Sequence, residues 1–175
     1  MRKIELRKVS IKNDVRLLYD MMLGEDQYLF STKLSFCTID KFEEWIIGQL
    51  KNSFHDFYVA EMDGIVIGYA HNYDFSLIDS RCKIAIYTLP NYRKIGLGGL
   101  LAISFIKRLF VDYPLNKIYL DIYSYNNESI ESNLKAGFVK EGELPNYRYY
   151  DGTYHSMQIL SMTREVFEEK LGGII

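Results

Sequence analysis

The densest run of residues able to do chemistry is Arg93-Lys94-Ile95-Gly96-Leu97-Gly98-Gly99. It joins a β-rich segment to the most apolar helical pattern in the chain. A helix start leaves backbone N–H groups without acceptors and carries a partial positive charge, and glycines there let a phosphate approach without meeting a Cβ. Arg93 and Lys94 add full positive charge. The same three glycines equally suit a tight strand-to-helix turn with no ligand. Two other phosphate loops are excluded. No Lys-Ser/Thr follows the last glycine, as GxxxxGK[ST] requires, and a dinucleotide fold would place GxGxxG near the N-terminus. Cys37 and Cys82 lie 45 positions apart without a CxxC or Cys/His cluster, so neither a disulfide framework nor a metal site is expected, and both thiols should be reduced and buried.

The loop must be held by regular structure, and the hydrophobic pattern supplies it. Residues 4–9 alternate as an edge strand. Val15, Leu18, Met21 and Met22 follow near helical spacing after Asn13-Asp14. Thr38 can cap a second helix that carries Phe42, Trp45, Ile46 and Leu50 and ends before Asn52. Residues 57–62 and 65–73 read as two strands joined by Asp63-Gly64, the pair best suited to a primed turn. A further strand over 82–88, with Cys82, Ile84, Ile86 and Thr88 on one face, ends at Leu89-Pro90 because proline cannot donate to a ladder. From 97 to 109, Leu97, Leu101, Phe105 and Leu109 recur every fourth position, and Leu100, Ile103 and Ile106 flank them, which predicts a helix buried on most of its circumference. Strand 117–123 comes after it, so strand, helix and strand imply a parallel crossover. A short helix over 129–136 closes at Gly137, and Phe138 begins a last strand pair turning at Asp151-Gly152. The order is β-α-α-β-β-β-α-β-α-β-β: an α/β domain with a mixed sheet.

Composition is consistent with this. The 175 residues are expected to form a single domain, 1–175, and 48% hydrophobic residues with 15% aromatics are enough for a core. A net charge of −2 lacks the basic field of a nucleic-acid-binding domain. The longest mostly apolar run, 95–106, is too short to span a bilayer, and the N-terminus shows no signal peptide, so the expected location is cytoplasmic, without membrane contact.

Arg93-x-x-Gly96-x-Gly98 after a strand and Pro90, followed by Asn126-x-x-Ser129-Ile130, Lys135-Ala136-Gly137-Phe138 and Glu141-Gly142 before a final hairpin, resembles the GCN5-related N-acetyltransferase (GNAT) superfamily. The resemblance runs over about residues 56–163 and extends plausibly to residue 2. More narrowly, it is similar to the branch containing ribosomal-protein alanine and spermidine N-acetyltransferases. It implies the acyl-CoA N-acyltransferase fold, a mixed, mostly antiparallel sheet flanked by helices, and acetyl-CoA as co-substrate. It implies that the amides of Arg93, Lys94, Ile95, Gly96, Leu97, Gly98 and Gly99 hold the pyrophosphate, and that the backbone of Ile86, Tyr87 and Thr88 pairs with the pantetheine arm. Asn126 and Ser129 fall on the cofactor side, Asn126 near the thioester. The acceptor would be a small-molecule primary amine or a protein N-terminus, and a homodimer is compatible with the pattern.

Two departures bear on catalysis. The tyrosine that many members carry four residues before the Gly-Phe glycine, as general acid to the thiolate, is Asn133. The common glutamate two residues before Ala85 is Lys83. An ammonium must still lose a proton before it attacks. The candidates are Glu61, Asp74 and Asp121, acting through water, with Tyr123 and Tyr125 able to stabilise or protonate. Asp121 points away from Ile118, Leu120 and Ile122, where Lys117 or Tyr119 could make it structural instead. His71 shares a face with Ile65, Ile67, Tyr69 and Tyr73 and reads as a structural histidine; His55 reads as surface; His155 could line an acceptor pocket. Tyr147, Tyr149, Tyr150 and Tyr154 suit either sheet packing or an aromatic acceptor wall. Glu25-Asp26 and Glu43-Glu44 are the acidic pairs a polyamine would need, and an acceptor-side loop is expected near Tyr28 and Phe36. The missing acid and base also admit a catalytically impaired CoA-binding regulatory module.

Overall fold

In the computed structural model, residues 4–29, 38–93 and 96–173 are described. A seven-stranded sheet runs in the order β1-β2-β3-β4-β5-β7-β6. Edge strand β1 (Glu5–Lys8) leads into α1 (Ile11–Leu23) and a 3-10 turn at Glu25–Leu29. Helix α2 (Ile39–Leu50) starts at Thr38, whose hydroxyl accepts from Lys41 N at 3.4 Å. Strands β2 (Phe57–Met62) and β3 (Ile65–Ser76) meet at Asp63 and Gly64, with φ values of 52° and 76°, the primed turn expected from that pair. Strand β4 (Arg81–Thr88) ends at the 3-10 turn Pro90–Tyr92.

Helix α3 (Leu97–Asp112) buries Leu97, Leu101, Phe105, Ile106, Leu109 and Phe110. Leu100 and Ile103 are only half-buried, so the helix packs through one broad stripe rather than most of its circumference. Strand β5 (Lys117–Tyr123), α4 (Asn127–Lys135), β6 (Val139–Tyr150) and β7 (Thr153–Thr163) follow. A closing helix, α5 (Arg164–Lys170), is absent from the sequence reading. Thr163 caps it, accepting from Val166 N at 3.3 Å, and Phe167 anchors it against the α3 core. The fold is the expected mixed, mostly antiparallel sheet flanked by helices.

The two sheet faces carry separate cores. One joins Cys82, Ile84, Ile118, Leu120 and Ile122 to α3, and the other joins Phe57, Tyr69 and Tyr87 to α1 and α2. Tyr87 is therefore buried opposite Cys82 and Ile84, as two-residue alternation requires. The centre of the sheet is its weak point. β4 and β5 pair in parallel only at Arg81↔Lys117, Cys82↔Ile118 and Lys83↔Tyr119. Beyond those rungs β3 still pairs with β4 as far as Gly68↔Thr88, and β7 with β5 as far as Tyr123↔Met157, so the two strands splay apart. Gly68 sets the far end of β4: a Cβ there would stand 2.0 Å from the Tyr87 carbonyl oxygen, which no other residue type permits without moving the strand.

Candidate active site

The splay between β4 and β5 opens into a cleft of about 650 Å³. Ile84 to Thr88 form one wall and Leu120, Asp121 and Ile122 the other; Gly96, Gly98 and Gly99 lie at one end, and Asn126, Ser129 and Asn133 of the α4 region line it as well. Of the cofactor-side residues expected from the sequence, Ile86, Tyr87, Thr88, Arg93, Gly96, Gly98, Gly99, Asn126 and Ser129 all line this one space. Leu97 does not: its side chain is buried in the core under α3, so only its backbone can serve a ligand. Lys94 and Ile95 lie outside the described residues, as do Phe36 and Cys37.

The glycine loop is built as an anion would require. Gly96 is the helix N-cap with φ 84° and ψ −7°, a left-handed conformation that costs glycine little. The helical ladder begins when Leu100 N donates to Gly96 O at 3.2 Å, which leaves the N–H groups of Leu97, Gly98 and Gly99 without intrahelical acceptors. A Cβ on Gly96 or Gly99 would meet nothing within 4 Å, and one on Gly98 would stand 3.2 Å from Thr88 Oγ1. An extended phosphorylated arm fits such a site: amides at one end, an unpaired strand edge along its length.

Arg93 is locked beside this loop. Its Nε donates to Thr88 O at 2.9 Å, its Nη2 meets Asp26 Oδ2 at 2.6 Å, and its guanidinium lies 5.2 Å from the Tyr87 ring centroid. Tyr87 Oη donates to the same Asp26 oxygen at 2.9 Å. The Arg93 hydrogen bond holds the Asp26 carboxyl below its ordinary range, while burial and then Asp26 push the Tyr87 phenol up to about 12. The sequence offered Asp26 only as half of an acidic pair; its part in fixing Arg93, 67 residues away, is tertiary.

The three catalytic candidates separate. Asp121 lines the cleft with its side chain 7% exposed; Oδ2 accepts from Lys83 Nζ at 2.6 Å and Oδ1 is buried without a hydrogen-bond partner. The partner is thus Lys83, on the neighbouring strand, and not Lys117 or Tyr119. Glu61 is corrected: it is two strands away, held at 2.8 Å by Arg7, which also binds Asp14 at 2.8 Å, and it does not line the cleft. Tyr125 is corrected too. It does not line the cleft, its hydroxyl donates to the Tyr28 carbonyl, and burial pushes its phenol up to about 12. Asp74 pairs with Arg81 at 3.1 Å, also outside the cleft.

The histidines divide as well. His71 is buried, stacked on Phe57 at 4.7 Å, and burial pulls its pKa down to about 3, as fits a structural role. His55 is half-buried and packs on it, with His55 Nε2 3.3 Å from His71 Nδ1. His155 joins an aromatic group: its ring lies 4.9 Å from Tyr125, Tyr125 lies 5.0 Å from Tyr150, and Tyr150 stacks on Tyr28 at 5.2 Å. Cys82 is fully buried, its thiol pushed up to about 12 by burial. Among the described residues no helix is long and apolar enough to cross a membrane.

The chain has counterparts among known proteins. The model of the acetyltransferase (GNAT) family matches residues 17–138, and the chain belongs to that family. A prophage-derived uncharacterized N-acetyltransferase, YokL, of Bacillus subtilis is 28% identical over 125 residues, covering 71% of each chain. An N-alpha-acetyltransferase of Sulfurisphaera tokodaii is 30% identical over 118 residues, 62% of this chain and 70% of that one. In fold, the chain is similar to the spermidine N-acetyltransferase of Vibrio cholerae, solved with CoA and spermine: TM-score 0.86, 19% identity, 94% of this chain and 97% of that one covered. The protein is an acetyltransferase that uses acetyl-CoA.

Proposed function

We propose that the cleft aligns acetyl-CoA with a primary amine, a small molecule or a protein N-terminus, and that Asp121 takes the amine's proton through water. The observation that carries this reading is the β4–β5 split, with acceptor-free amides at its end and a carboxylate on its wall. Leu97, Gly98 and Gly99 amides would bind the pyrophosphate, and Arg93, fixed by Asp26, would flank it. The unpaired edge of Ile86, Tyr87 and Thr88 would hold the extended arm, with Asn126 and Ser129 opposite. The amine nitrogen attacks the thioester carbon, the oxyanion collapses, and the C–S bond breaks. The amine's proton passes by water toward the Asp121 carboxylate, whose Oδ2 accepts from Lys83 Nζ at 2.6 Å. Asn133 donates to Ser129 O at 2.8 Å and has no titratable proton, so the thiolate takes its proton from solvent. A cytoplasmic setting accords with this reading.

The test is release of free thiol from acetyl-CoA across a panel of amines. Thiol release that depends on the amine supports transfer. Binding of CoA in calorimetry with no thiol from any amine would instead support the regulatory module suggested by Asn133 and Lys83. No binding at millimolar CoA would remove both readings.

A further inference from the structure

The acceptor face of the sheet has an unusual charge inventory. Lys83 and Tyr87, four residues apart on β4, share a face; Asp121 meets Lys83 from β5, and Tyr123 follows Asp121 at two-residue spacing. Asp121 is engaged by the Lys83 ammonium, Asp26 by Arg93 and Tyr87, and Glu131, which also lines the cleft, lies 3.8 Å from Lys135 Nζ. Arg148, on β6, is the contrast. Its Nη1 donates to the Tyr123 hydroxyl at 3.3 Å, and its guanidinium lies 5.1 Å from the centroid of the same ring. Among the described residues no carboxylate forms an ion pair with it, Asp151 in the hairpin turn included. Tyr147, 6.4 Å from Tyr123, is 53% exposed, so this corner opens to solvent.

We infer that Arg148 sets acceptor specificity: it favours primary amines bearing a carboxylate at their far end and disfavours polycations. The inference rests on the N-acetyltransferase reading. A polyamine needs free carboxylates or a bare aromatic face for its second ammonium. Asp121, Asp26 and Glu131 each have a cation beside them, and the Tyr123 face is taken by a guanidinium. That guanidinium keeps donors free for a carboxylate, in the fork geometry arginine presents.

The test uses three acceptors of equal chain length: 5-aminopentanoate, pentylamine and 1,5-diaminopentane, with thiol release followed at fixed acetyl-CoA. A charge-assisted pair at a partly exposed site should make kcat/KM for the amino acid about tenfold or more above that for the diamine, mostly through KM. Arg148→Glu should reverse the order, and Arg148→Lys should keep it, which also controls for folding. A wild-type preference for the diamine, or a ratio unchanged within twofold in Arg148→Glu, overturns the inference while leaving acetyl transfer standing. Thiol release from none of the three, where another amine of the panel is acetylated, overturns the inference and leaves transfer standing.

Discussion

Removing Lys83 should destabilise the protein more than its position near an open cleft suggests. In Lys83→Met the ammonium 2.6 Å from Asp121 Oδ2 is lost, and Oδ1 already lacks a partner, so a carboxylate 7% exposed would hold charge with no compensation. Breaking a buried pair this way costs about 3–5 kcal/mol. Lys83 is itself 25% exposed, so water can reach the space it leaves, and about 2–3 kcal/mol is expected. For a chain of this length that lowers Tm by roughly 4–12 °C. Asp121→Asn should cost less, because the freed lysine can turn toward solvent. The double change Lys83→Met with Asp121→Asn removes both charges and should recover most of the loss. Urea unfolding of the four proteins, with m-values compared, measures the cycle. A Lys83→Met protein within about 0.5 kcal/mol of wild type, or a double variant no better than the worse single, would refute the reasoning.

Further expectations follow from other contacts. Gly68→Ala should destabilise by about 3 kcal/mol or more, read by urea unfolding, because its Cβ would lie 2.0 Å from a backbone oxygen. Gly98→Asp should abolish CoA binding in calorimetry while circular dichroism stays native, since its carboxylate would stand where phosphate binds. Asn133→Ala should change kcat by less than about tenfold; a hundredfold loss, about 2.7 kcal/mol of barrier, would show that its amide takes part in the chemistry. His71 makes stability depend on pH. Its folded pKa of about 3 is far below the free value of 6.5, so the unfolded chain binds the proton first. Stability should therefore fall as pH drops below 6.5, by about 2 kcal/mol at pH 5, and the loss should be complete near pH 3. His71→Phe should flatten that slope in urea titrations between pH 7 and 5.

What the sequence discloses is local. Asp63-Gly64, Pro90, the four-residue spacing from Leu97 to Leu109 and the cap at Thr38 each act through their own neighbours, so each was readable. The expected cofactor-side residues came from a family resemblance carried by short contiguous stretches, 93–99 and 126–130, and most of them line one cleft. Helix α5 escaped because seven residues are too few to show a period, although Thr163 ahead of Val166 and Phe167 was a usable cap signal. The fates of Glu61 and Tyr125 were not readable, because Arg7 and the Tyr28 carbonyl reach them from 54 and 97 residues away. The Lys83–Asp121 pair is of the same kind: either residue alone looks like a departure or a candidate base, and only the parallel register makes them one unit.

The three rungs that join β4 to β5 have a mechanical meaning. The ladders on either side hold seven residue pairs each, so the sheet is two stiff leaves sharing a short hinge. An extended arm lying against Ile84–Thr88 would act as a temporary eighth strand, and each turnover would insert and withdraw it. Amide protons on that edge of β4 should therefore exchange with solvent quickly in the free protein and slow down with CoA bound, while those facing β3 stay protected in both states. Because product CoA would lie along the same strand edge as acetyl-CoA, its withdrawal would be a step of every turnover, and the rate of that step would set a ceiling on kcat.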